Sequence, residues 1–274
     1  MRTSYTEAEI GVIGGSGFYT FVDDACEVAI TTPYGDPSDR LLVGEVGDRS
    51  VAFLPRHGRG HRLPPHKINY RANLWALRSV GVRQILAPCA VGSLRPELGP
   101  GTMLVPDQLV DRTIGRPQTY FDHGGVHVTF ADPYCPVGRE AVLRTAQRHD
   151  RTVVDGGAMV VIEGPRFSTR AESQWYAAQG WALVNMTGHP EAVLARELAM
   201  CYTSVALVTD LDAGIDEESA VAQEDVFRVF AENVDRLRGL LGRVIGELPD
   251  TEKRDCICTR AHDRLDISLA LPGG

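Results

Sequence analysis

No stretch of the chain holds the ~18 consecutive apolar residues that a membrane-crossing helix needs, so no helical membrane span is expected. Residues 1–9 are polar and lack the apolar core of a secretory signal. Basic residues are in deficit: 28 Lys and Arg stand against 36 Asp and Glu, a formal net charge of −8. Broad nucleic-acid binding needs a cationic face to release counterions, and this balance argues against it. A cationic pocket for a small anion remains compatible with an acidic surface. Internal repeats, low-complexity tracts and linkers are absent, so the 274 residues read as one domain, 1–274. Cysteine is sparse. Cys26, Cys89, Cys135, Cys201, Cys256 and Cys258 are mostly scattered in apolar surroundings, as reduced cytosolic thiols are, and a cytoplasmic location is expected. Only Cys256 and Cys258 form a close pair. They read as a redox-labile or incidental tail pair rather than a metal site, because no second pair completes a tetrahedral set.

What is present is an alternation of strand and helix patterns. Residues 9–13 predict a first strand running into a glycine turn at 14–17. Two further β-rich stretches, 26–32 and 40–53, are broken by a Pro/Gly turn. A cationic loop at 55–67 leads to a helix over 68–80, placed to end at Gly81. Strands follow at 84–91, 159–163, 182–186 and 204–209. Helices are predicted near 168–179, at 191–200 after Pro190, and at 224–247, where Val226, Phe230, Val234, Leu237, Leu241 and Val244 recur every three or four positions. Such alternation predicts an α/β layer structure with a largely parallel central sheet.

Four motifs carry chemistry, and each has a plain alternative. The glycine turn fails as a dinucleotide fingerprint, because Thr20 stands where a third glycine belongs. It fails as a Walker loop, because no Lys-Ser/Thr follows. A tight turn remains, whose N–H groups and Ser16 hydroxyl can hold an anion. The loop from Arg56 to Arg62, with His57 and His61 between the arginines, repels a metal. It reads either as a solvated basic loop or as a phosphate clamp, with Arg56 as a bidentate fork and His57 as a second donor. Thr187 lies at a strand-to-helix junction, as a helix-start hydroxyl or an anion contact. Asp210 and Asp212 end an apolar strand. They are either turn formers or a carboxylate pair whose mutual repulsion lets one act as a general acid near neutrality.

Together these segments resemble the trimeric purine nucleoside phosphorylase family, in its methylthioadenosine-cleaving branch. The similar stretches are 11–18 (GVIGGSGF), 56–61 (RHGRGH), 69–77 (NYRANLWAL), 111–113 (DRT), 162–168 (IEGPRFS), 170–173 (RAES), 185–187 (NMT) and 209–212 (TDLD), in family order from residue 10 to about 245. The resemblance implies a single α/β domain with a central mixed β-sheet flanked by helices, nucleoside phosphorylase/hydrolase-like, assembled as a homotrimer. It places phosphate on Ser16, Arg56, His57, the Cys89–Ala90 turn and Thr187. The family prefers Thr where Cys89 stands, a departure that affects a hydroxyl contact and leaves the backbone contact unaltered. Met186 is implied against the ribose, Thr209, Asp210, Leu211 and Asp212 around the purine, and Ser168 at a position tied to base specificity. No metal or organic cofactor is implied; inorganic phosphate is the co-substrate, and a small-molecule nucleoside the only other partner.

The implied reaction is phosphorolysis. An oxocarbenium-like sugar is stabilised by the adjacent phosphate anion. Phosphate attacks C1′ with inversion, and a protonated Asp210 delivers a proton to N7 of the departing base. A carboxylate accepts from a 6-amino group, whereas a 6-oxopurine needs a donor, so Asp at both positions predicts adenine nucleosides. The 5′ pocket departs from the methylthio-specific pattern. His127 matches a histidine that relatives supply from a neighbouring subunit. Of the last-helix positions Gln223, Val226 and Phe227, Gln223 replaces a valine and can hydrogen-bond a 5′-hydroxyl. Methylthioadenosine is the leading substrate on this reading, with adenosine, a 5′-halo-5′-deoxyadenosine or another purine nucleoside as alternatives.

Overall fold

The computed structural model describes residues 7–15, 18, 21–213, 220–263, 265 and 270–272. Among these, eleven strands join one branched sheet. Its axis is β5 (Gln84–Ser93) paired in parallel with β11 (Cys201–Leu211), and nearly every residue of both is buried. On one side of β5 lie β1 (Ile10–Gly14), β4 (Arg49–Pro55), β3 (Leu41–Val46) and β2 (Cys26–Val28). On the other lie β10 (Leu183–Asn185), β9 (Ala158–Ile162) and β7 (Gln108–Arg112), while β6 (Met103–Val105) and β8 (Val153–Asp155) extend from β11. Six of the ten described pairings are parallel and four antiparallel, so the sheet is mixed.

Both faces of the central strands are buried, and the strand period of two divides their side chains between two cores. Ile13, Leu54 and Ile85 turn towards α1 (Tyr70–Ser79) and α4 (Gly188–Glu197), where Leu74, Leu77 and Leu194 meet them. Their chain neighbours Val12, Phe53 and Leu86 turn the opposite way. They pack on Val142 of α2 (Pro136–Arg148) and on Phe230, Leu237, Leu241 and Val244 of α5 (Gln223–Glu247). Full burial of each such side chain contributes roughly 1.5–3 kcal/mol. The remaining helix, α3 (Arg170–Ala178), starts on a capping box in which Thr169 and Glu172 satisfy each other's backbone N–H groups. No described helix is long and apolar enough to cross a membrane.

The C-terminal ends of β1, β4, β5 and β11 open on one side of the sheet, the side where open α/β sheets collect ligands. β10 runs antiparallel to β5, with Val184 opposite Gly92, so its end returns over the middle of β5.

Candidate active site

One cavity of about 340 Å³, within the usual range for small-molecule sites, lies over these strand ends. Strand β5 supplies its floor through Cys89, Ala90, Val91 and Gly92. The two carboxylates stand over Gly92: a Cβ there would come 3.0 Å from Asp210 Oδ1 and 3.2 Å from Asp212 Oδ1. The missing side chain at Gly92 is therefore what admits the pair. A bulge aims them. Val208 pairs with Val91 and Asp210 with Gly92, leaving Thr209 as the extra residue, so Thr209 and Asp210 both line the cavity. Leu211 does not, correcting its expected place beside the base: it pairs with Ser93, and only its neighbours on either side reach the cavity.

Burial pushes the Asp210 carboxyl up to about 6, and the Asp212 charge adds to the rise, against a lowering hydrogen bond from Thr209. Thr209 Oγ1 lies 2.7 Å from Asp210 Oδ2 and 3.2 Å from the Val91 carbonyl. A protonated Asp210 can thus donate to Thr209 while Thr209 donates to Val91. Asp212 is also raised by burial, but Ser173 Oγ donates to its Oδ2 and holds it in place. The Ser168 hydroxyl, buried in the cavity wall, opposes that rise too, yet forms no well-aligned hydrogen bond. Gly92→Ala is expected to displace both carboxylates and lower kcat/KM on the order of 10²-fold with little loss of Tm, as steady-state rates and thermal unfolding will show.

About 10 Å back along β5, three residues at ~3.3 Å each, the lining turns cationic. Arg56 follows the end of β4, fully buried, with Nη1 3.2 Å from the Pro88 carbonyl. Its Nε and Nη2 form a fork on Glu191, at 2.5 and 2.9 Å, and Glu191 also accepts from Tyr202 Oη at 2.7 Å. The expected bidentate fork on a ligand is therefore already engaged inside the protein; one N–H on Nη1 and one on Nη2 are left for an anion. A Cβ at Gly15 would lie 2.9 Å from Arg56 Nη1, which explains a glycine at the end of β1. Ser16 lies outside the described residues.

His57 does not present the donor expected of it. Its Nδ1 is 2.8 Å from the Leu63 carbonyl, which only accepts, so Nδ1 carries the proton and Nε2 is a bare acceptor. Burial, with His61 and Arg56 nearby, lowers the ring to about 3, and His61 stacks on it at 4.1 Å. Thr187 lines the same end without capping α4. Asn185 Oδ1 accepts from the N–H groups of Thr187 and Gly188, at 2.7 and 2.6 Å, and its Nδ2 donates to Ala90. Cys89 lines the floor with its sulfur 3.4 Å from Ser204 Oγ.

Gln223, Val226 and Phe227, at the start of α5, form one wall, where Phe227 meets the His61 ring edge-on at 5.8 Å. Met186 lines another wall. His127 is exposed, in the segment between β7 and α2, and is not part of this chain's cavity. His189 bonds Gln118 through Nε2 at 2.8 Å and lies 3.2 Å from Asp111, tying the start of α4 to the 111–118 segment. Glu191, Asn185 and Arg116 were missed as supports. Arg116 reaches the carbonyls of Met186 and His189, at 2.9 and 2.7 Å, and holds the 186–189 turn from behind.

A cavity that pairs a proton-holding carboxylate with a cationic, glycine-lined end is built for group transfer, and the chain is an enzyme of the pentosyltransferase class. It belongs to the phosphorylase superfamily, whose family model matches residues 9–246. It is 64% identical to a purine nucleoside phosphorylase of Streptomyces coelicolor, over 97% of this chain and 98% of that one. It is 60% identical to an S-methyl-5′-thioadenosine phosphorylase of Mycolicibacterium smegmatis, over 96% and 99%. Its fold superposes on a methylthioadenosine phosphorylase from Schistosoma mansoni in complex with adenine, with a TM-score of 0.83 and 38% identity over 90% of this chain and 94% of that one.

Proposed function

We propose that the enzyme catalyses phosphorolysis of S-methyl-5′-thioadenosine to adenine and 5-methylthioribose 1-phosphate, a step of purine and methionine salvage. The observation that carries this is the order of groups along β5: the Arg56 guanidinium held beside Pro88, then the Asp210 and Asp212 carboxylates over Gly92, about 10 Å further on. Phosphate lies between Arg56, Thr187 and the Cys89–Ala90 backbone. It takes the place of a second carboxylate beside Arg56, and its own O–H donates to Nε2 of His57. The dianion raises the His57 pKa, so a proton can pass to the ring as phosphate attacks C1′. Asp210 gives its proton to N7 of the leaving base, and Asp212, fixed by Ser173, accepts from the 6-amino group. No metal or organic cofactor takes part in these steps.

The names of the relatives divide between a purine nucleoside phosphorylase and methylthioadenosine phosphorylases. Gln223 at the mouth of α5 favours a second substrate, adenosine, through a hydrogen bond to the 5′-hydroxyl. Gln223→Val is expected to raise the ratio of kcat/KM for methylthioadenosine over adenosine by roughly 10-fold or more, measured with both substrates in one assay. His127 of the partner subunit completes this 5′ end in a homotrimer, and the enzyme works in the cytoplasm. Incubation with methylthioadenosine, adenosine and inosine tests the substrate class. Adenine released from the first two and no hypoxanthine from inosine supports it; turnover of inosine at a comparable rate contradicts it.

A further inference from the structure

Far from the cavity, four cysteines converge. Cys135 precedes α2, Cys201 opens β11, and Cys256 and Cys258 flank Ile257 in the segment after α5. All four are buried free thiols with sulfurs within 4.8 Å of one another. The partners that the Cys256–Cys258 pair lacks in sequence are thus supplied by the fold. Cys201 is nine residues from Asp210, about 30 Å along an extended strand, so the cluster lies at the far end of β11 from the reacting groups.

We propose that Cys135, Cys201, Cys256 and Cys258 form a structural zinc site that binds one Zn²⁺ as a tetrathiolate. Geometry is the first argument. A Zn–S bond of about 2.3 Å requires sulfurs about 3.8 Å apart at tetrahedral corners. Cys201 and Cys256 are 3.4 Å apart, and no pair exceeds 4.8 Å, so small side-chain rotations close the shell. The Cys201–Cys256 contact is far longer than a disulfide bond of about 2.05 Å.

Charge is the second, independent argument. Arg196 Nη2 lies 3.7 Å from Cys258 Sγ, and Arg254 Nη1 lies 3.4 Å from Cys201 Sγ. Arg196 is only 2% exposed. Burying the Arg196 guanidinium against neutral thiols or disulfides leaves its charge uncompensated, and the half-buried Arg254 adds a second positive charge beside the cluster. Zn²⁺ with four thiolates carries a charge of −2, which these two cations match. Backbone carbonyls aim both arginines: Thr129 and Asp132 hold Arg196, and Thr251 and Arg83 hold Arg254.

Binding exchanges four thiol protons for one ion, Zn²⁺ + 4 RSH → [Zn(SR)₄]²⁻ + 4 H⁺, with no oxidation. Four protein ligands leave no open position, so the site staples the segment after α5 to the starts of α2 and β11. The test uses the full chain, purified under reductant, stripped of metal, loaded with Zn²⁺ or Co²⁺ and freed of excess ion. One ion per chain by elemental mass spectrometry, a cobalt spectrum of tetrahedral thiolate ligation, and loss of both in the double variant Cys256→Ser/Cys258→Ser are expected. Zinc should also raise the Tm of the parent chain and not that of the variant. A parent chain that retains no ion, two disulfides found by mass spectrometry, or equal zinc in parent and variant would overturn the proposal. Should the double variant fail to fold, parent stoichiometry and the cobalt spectrum decide alone.

Discussion

Asp210→Asn is expected to lower kcat/KM for adenine nucleosides by about 10²–10⁴-fold, the range over which a positioned general acid acts. The substitution keeps the shape of the side chain and removes its transferable proton. The pH profile adds a second readout. With Asp210 pushed up to about 6, kcat/KM of the parent enzyme should fall about tenfold per pH unit on the alkaline side of 6, and the variant should lose that limb. The sign for stability follows from the same shift. A folded-state pKa above the ordinary 3.8 means that Asp210 favours the fold when protonated. That contribution is complete below 3.8 and lost as pH rises through about 6. A variant that keeps full activity on adenine substrates, with an unchanged profile, removes Asp210 from the proton transfer.

Glu191→Ala carries the second large effect, on stability. Glu191 is fully buried and Arg56 only 1% exposed, so removing the carboxylate leaves a guanidinium in the interior with no counter-charge. Breaking such a pair costs about 3–5 kcal/mol, a large share of the 5–15 kcal/mol that holds a typical domain together. Tm should drop by roughly 10 °C or more. Inorganic phosphate should raise the Tm of the variant more than that of the parent, because the anion can pair with the vacated edge of Arg56. A variant within 1 kcal/mol of the parent would show that the pair holds little, and equal phosphate shifts would place the anion elsewhere.

Features carried by neighbours in the chain were legible in the sequence. The Asp210 and Asp212 pair, the Gly14–Gly15 turn, Arg56 with His57, and Gln223, Val226 and Phe227 on one helix all depend on spacing of a few residues. Their surroundings were not. Arg56 reads as a free fork until Glu191, 135 residues later, is folded against it. His57 reads as a donor until the Leu63 carbonyl fixes its tautomer. Leu211 enters only through the family resemblance, and strand alternation turns it away from its neighbours Asp210 and Asp212, whereas the bulge that brings Thr209 and Asp210 to the same cavity cannot be seen in the pattern. The cysteine cluster was hidden for the same reason: Cys135, Cys201 and the Cys256–Cys258 pair sit on three separate elements. The short strands β6 and β8, three residues each, offer too little alternation to register.

Phosphate dependence is the most direct test of the account, since a nucleoside hydrolase would need the carboxylates but not the cationic end of the cavity. Adenine release from methylthioadenosine should be measured with and without inorganic phosphate, with the pentose product identified in each case. The account predicts adenine only when phosphate is present, with one equivalent of 5-methylthioribose 1-phosphate. Adenine released at the same rate into phosphate-free buffer, with free methylthioribose as the product, would contradict it.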